Sequence, residues 1–179
     1  SDSTSMAYND YKKTFGEDGS ILFIGIQSER IFELDVFHDL EKLGDDLRSI
    51  NGVKSVLSLP DMYELKKNDS LHSFELKAVM QRSPESQKEL DSIRDIMTSQ
   101  PFYEGLLINN ESLTTLMTVS FRKEMFNTRE RVHTVEAIKA FGEAFSSKHH
   151  IDLHYSGLPY IRTMTSEKIQ KELFVFVLL

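Results

Sequence analysis

The chain has 179 residues, 40% of them hydrophobic and 27% charged, with a formal net charge of −7 and no cysteine. That length and composition suit one globular domain able to bury its own core, and they exclude disulfides, thiolate metal sites and cysteine nucleophiles. The acidic balance, with basic residues scattered singly or in pairs such as Lys12-Lys13 and Lys66-Lys67, argues against nucleic acid as a partner, because phosphate-backbone binding needs a clustered cationic stripe.

The opening segment SDSTSMAYNDYKK has neither the basic nor the apolar region of a signal peptide, so export is expected to be specified by residues outside this sequence. After a Gly-Glu-Asp-Gly turn at 16–19, residues 21–26 form a short apolar run with β-branched and aromatic members. This predicts a central strand covered on both faces. Gly25 inside it predicts close approach of another element. From Asp35, an expected N-cap, Val36, Leu40, Leu43, Leu47 and Ile50 recur at spacings of three and four and predict an amphipathic helix. Asn51-Gly52 closes that helix, and a strand is expected over 53–59, before Pro60 breaks it.

Residues 61–104 are polar and are expected to form a helical insertion. LHSFELKAVM has a helical pattern, no strand stands out, and Ser83-Pro84-Glu85 starts a second helix whose buried face is Leu90, Ile93 and Met97. Two apolar runs follow, GLLIN and SLTTLMTVSF, joined by Asn109-Asn110-Glu111, which predicts a hairpin. Asn127 then caps a helix to about His149, with Val132, Val135, Ile138, Phe141, Ala144 and Phe145 turned inward. A strand over 151–155 and the turn Gly157-Leu158-Pro159 lead into a last helix. This order predicts an α+β fold in one domain over 1–179. It is a ferredoxin-like split-βαβ sheet with helices on one face, an extra strand and the helical insertion.

The strongest polar constellation is HHIDLHY at 149–155, where the two-residue period of a strand puts His150, Asp152 and His154 on one face. These side chains are capable of metal ligation or proton transfer. Ile151, Leu153 and Tyr155 form the apolar phase, so the polar three are expected to be the solvated side of an outer strand. Asp45-Asp46 and Glu17-Asp18 are adjacent pairs, which on a helix splay about 100° apart and make no dyad. His38 and His133 lie within helical patterns. Gly16, Gly19 and Gly25 form neither a phosphate loop nor a dinucleotide fingerprint, and Ser156-Gly157 lacks a nucleophile elbow. Arg162, after Tyr155, Gly157, Pro159 and Tyr160, is a candidate for fixing the turn or touching a ligand. No catalytic, cofactor-binding or metal-binding residue is assigned, and no enzymatic activity is expected.

The last helix starts amphipathic, with Glu167, Lys168, Gln170, Lys171 and Glu172, and turns wholly apolar over 173–179, LFVFVLL. A bilayer takes roughly 20 apolar residues to span. The run is therefore a short buried element, a partner-binding tail, or the start of a truncated transmembrane helix. The segments YKKTFGEDGSILFIGIQS, NGVKSVLSLPDMYEL and HHIDLHYSGLPYIR, in that order, resemble the first extracytoplasmic loop of exporters of the RND superfamily, in its MMPL-like branch. The resemblance covers about residue 8 to the end. Phe15-Gly16 stands where that family has a Phe-Gly turn before a strand, and Gly157-Leu158-Pro159 where a Gly-x-Pro turn feeds the second transmembrane helix.

This resemblance favours the truncated transmembrane helix. It implies the periplasmic porter domain of a proton-driven exporter in the bacterial inner membrane, shaping the extracytoplasmic path of hydrophobic or amphiphilic substrates. Its partners would be the remainder of the same polytopic protein, including a second extracytoplasmic lobe, and the membrane, reached through the transmembrane helices. The membrane-embedded carboxylates of the implied proton relay lie outside this sequence, so the chain alone is expected to need no cofactor and to perform no transport. The alternative is a free-standing ferredoxin-like module that binds a ligand or docks its apolar tail on a partner. A third expectation is a small hydrolase or metal enzyme built on the His150 face.

Overall fold

The computed structural model describes residues 20–68, 73–125 and 129–178 of the 179. The Phe15-Gly16 turn, the Glu17-Asp18 pair, Gly19 and the Asn127 cap lie outside the described residues. In chain order the elements are β1 (Ile21–Gln27), α1 (Leu34–Ser49), β2 (Val53–Leu57), β3 (Tyr63–Asn68), β4 (Ser73–Ala78), α2 (Gln87–Thr98), β5 (Ile108–Asn109), β6 (Thr114–Phe121), α3 (Glu130–His149), β7 (Leu153–Ser156) and α4 (Leu158–Leu178).

The main sheet runs β2-β6-β1-β7, and β5 extends the β2 edge along β6. Its strand pairs are antiparallel. The crossovers β1-α1-β2 and β6-α3-β7 interleave, which is the split-βαβ, ferredoxin-like α+β arrangement with β5 as its extra strand. One core forms where the two crossover helices meet the sheet. Leu22, Ile24 and Ile26 of β1, Met117, Val119 and Phe121 of β6, Val36, Phe37, Leu40, Leu43 and Leu47 of α1, and Val135, Ile138 and Phe145 of α3 are all buried in it. Each such side chain contributes about 1.5–3 kcal/mol when fully removed from water.

The opposite face of the sheet is largely open. Phe23 and Leu57, which flank Thr118 across the ladder, are 36% and 37% exposed. The expected double cover of β1 is therefore corrected: both crossover helices lie on one side, as an antiparallel sheet permits. Gly25 faces only ordinary contact distances, 3.7 Å to the Cβ of His154 at the nearest.

The insertion differs most from expectation. Its helix is present as α2, with Leu90 and Met97 buried and Ile93 half-buried. It begins three residues later than the Ser83-Pro84 signal, because Ser86 supplies the cap by accepting from the Glu89 amide. The segment read as helical, LHSFELKAVM, instead contains β4, which pairs with β3 in a separate two-stranded sheet. The alternation S-F-E-L-K-A fits a period of two, and the register sets Lys77 opposite Glu64 and Glu75 opposite Lys66. α1 also starts before its expected cap. Extended Glu33 is the N-cap, and Gln87 Oε1 accepts from the Leu34 amide, so the insertion itself caps the helix. In α3 the buried stripe is Thr134, Val135, Ile138, Gly142, Phe145 and His149, leaving Phe141 and Ala144 exposed rather than inward.

Candidate functional site

The HHIDLHY stretch straddles a helix end, which changes the role of each residue. His149 closes α3 and is 4% exposed, whereas His150, at φ 55°, breaks the helix in the left-handed region and is exposed. Asp152 and His154 are exposed as well, alternating with half-buried Leu153 and Tyr155. His150 stands before β7 rather than on it. The buried histidine is thus the neighbour of the one singled out by strand periodicity. Its Nε2 lies 2.6 Å from Asp39 Oδ2 on α1, and the same oxygen accepts from Lys148 Nζ at 2.5 Å. Lys148 as donor, with help from His149, holds the Asp39 carboxyl below the usual carboxylate range against the opposing effect of burial. Arg30 Nη1 donates to the His149 carbonyl at 3.0 Å, satisfying one of the last carbonyls of α3. These bonds clamp α1 to the C-terminal end of α3. Among the described residues no group of three or more His, Asp or Glu side chains is placed to hold a metal ion.

The other polar candidates are also tied into the scaffold. His38 Nε2 reaches the Pro84 carbonyl at 2.7 Å, joining α1 to the insertion, and His133 is exposed beside Glu136. Asp45 pairs with Arg48, which also pairs with Asp61 at 2.5 Å. The Asp46 carbonyl accepts from Ser49. Arg162 is exposed on α4, and its charge, after burial, is the second cause that holds the Arg131 guanidinium below its ordinary value.

A distinctive geometry sits where β7 feeds α4. Gly157 has φ 101°, and a Cβ there would fall 2.3 Å from the Ile21 carbonyl oxygen, so only glycine fits. Its carbonyl accepts from the Ile161 amide, the Thr163 hydroxyl donates to the Pro159 carbonyl at 2.8 Å, and Thr163 is fully buried. The Tyr155 and Tyr160 rings stack at 5.6 Å. Burial pushes the Tyr155 phenol up to about 12, and its oxygen, wedged against Gly142, has no hydrogen-bond partner among the described residues. The first turn of α4 is therefore seated firmly on β1. Ile161 within that turn, and Ile169 and Leu173 farther along the helix, are 51%, 50% and 58% exposed. Among the described residues no helix is long and apolar enough to cross a membrane.

A small cleft of about 40 Å³ lies between the 3-10 turn at Glu29–Phe32, α2 and the β5–β6 loop. Ile31, Leu59 and Ile108 form its floor. Arg94 stacks over Phe32 at 5.2 Å, and Leu113 stands at the rim with φ 53°, a strained value for leucine. Composition alone gave no signal for this cleft, because its walls come from segments far apart in the chain. Compared by sequence with known proteins, the chain matches no family model and no curated protein.

Proposed function

We propose that the chain is an extracytoplasmic lobe of a membrane protein, joined to the bilayer through α4. More particularly, it is the periplasmic porter domain of a proton-driven exporter of the RND superfamily, in its MMPL-like branch, and shapes the path of hydrophobic or amphiphilic substrates. One observation carries this proposal: the chain enters α4 through Gly157, packed against the Ile21 carbonyl, and farther along the helix, past buried Thr163, Ile169 and Leu173 are 50% and 58% exposed. Leaving such side chains about half in water forgoes roughly 1 kcal/mol each, a deficit that lipid or neighbouring transmembrane helices would remove. The ordered motifs ending in HHIDLHYSGLPYIR add support. The open sheet face around Phe23 and Leu57 offers a second lobe a surface to pack against.

In this role the domain contributes shape and rigid-body motion, opening and closing a route against its partner lobe. The Asp39–His149–Arg30 clamp suits that task by making α1 and α3 move together. The alternative, a free-standing binding module, draws support from the apolar cleft beside Arg94. Alkaline carbonate extraction of cells carrying the intact gene product separates the two. The exporter domain stays in the membrane pellet. Release with the soluble proteins would contradict the exporter and favour the module.

A further inference from the structure

The β3–β4 hairpin stands apart from the main sheet. Apolar and charged residues alternate along β4, S-F-E-L-K-A. Register puts Ala78 opposite Tyr63, so Leu76 shares their face; Tyr63 is 49% and Leu76 72% exposed. A lone two-stranded hairpin is marginal in water, and three or more strands are the usual remedy.

Its two edges differ. On the β3 side the Tyr63 amide donates to the Tyr103 hydroxyl at 3.1 Å, so the loop after α2 already occupies the start of that edge. On the β4 side no described strand pairs. The β4 sequence is also self-complementary. An antiparallel pairing about a two-fold axis through Leu76 sets position 75 of one copy opposite position 77 of the other, a Glu against a Lys, twice over. Moving the axis by one residue sets Glu75 opposite Glu75, or Lys77 opposite Lys77, which is destabilising. The charges therefore favour the register about Leu76 over its one-residue shifts.

We propose that β4 docks on β4 of a second copy of this chain, joining the two hairpins into one four-stranded antiparallel sheet with Leu76 of both copies at the axis. This assembly is independent of the exporter assignment.

The test exploits the absence of native cysteine. With Leu76→Cys in the full chain, directly opposed positions approach closely enough for a disulfide on mild oxidation. A disulfide-linked dimer is expected, while Phe102→Cys, equally exposed but off the edge, gives little. Adding Glu75→Lys to Leu76→Cys makes both facing positions positive, and adding Lys77→Glu instead makes both negative. Each variant alone should lose roughly tenfold in dimer yield. Mixing the two in equal amounts should restore it, because Lys then faces Glu again. Weakening of each hairpin by its own substitution is the same alone and mixed, so restoration reports the contact between copies. Equal yields for Leu76→Cys and Phe102→Cys, or no recovery on mixing, would overturn the proposal.

Discussion

The α1–α3–β7 end of the molecule and the β3–β4 hairpin make opposite use of similar residues. At the first, charged and polar groups are locked between elements: Asp39 holds Lys148 and His149, Arg30 holds the His149 carbonyl, and Gly157 lets α4 start against β1. At the second, the Val79 amide to the Met62 carbonyl extends the ladder of an equally amphipathic hairpin, and the Tyr63 amide joins its base to the Tyr103 hydroxyl. The locked end sets the shape and stability of the domain, whereas the hairpin keeps apolar surface available for something outside it. Stability is distributed unevenly for that reason.

Substitutions sharpen this contrast, beginning with the largest. Gly157→Ala combines a left-handed backbone with a Cβ pressed on the Ile21 carbonyl, and should cost about 3 kcal/mol or more in urea unfolding. Asp39→Asn should cost roughly 2 kcal/mol at neutral pH, since it weakens charge-assisted bonds to a buried partner. The Asp39 carboxyl titrates lower in the folded chain than its ordinary 3.8. Its contribution is therefore complete above that value and lost as pH falls through the folded one. Wild type should lose stability more steeply than Asp39→Asn below about pH 4. An identical acid profile for the two would break the clamp account.

Gly142→Ala drives a Cβ to within 2.0 Å of the Tyr155 oxygen and should cost about 1–2 kcal/mol. Tyr155→Phe alone should be neutral or slightly stabilising, because the hydroxyl it removes has no partner among the described residues, and in combination it should recover part of the Gly142→Ala loss. Smallest of all, Leu76→Ser on the hairpin should change unfolding of the dilute chain by less than about 0.5 kcal/mol, Leu76 being 72% exposed. A large loss there would mean that the hairpin belongs to the folded body after all.

The same contrast explains what was legible in the sequence. Periods of 3.6 and 2 are strong where one face is buried, so α1, the β5–β6 hairpin and the split-βαβ order could be read directly. β4 was misread because S-F-E-L-K-A has no core beside it to enforce one period, and pairing with β3, which is non-local, decides it. Phase was the other failure. HHIDLHY was recognised as the polar concentration, yet the helix runs to His149, so helical rather than strand geometry selects which histidine turns inward. Its partner Asp39 lies in α1, and only the packed fold brings the two together. The Gly157 turn was visible as Gly-Leu-Pro, but the contact that demands glycine comes from Ile21, at the other end of the chain.

The most direct test of the central claim is topology labelling of the intact gene product carrying Asp152→Cys, an exposed site in a domain without native cysteine. A membrane-impermeant maleimide applied to spheroplasts should label this cysteine without lysis. Labelling only after the cells are broken open would place the domain in the cytoplasm and contradict its assignment as the periplasmic lobe of an exporter.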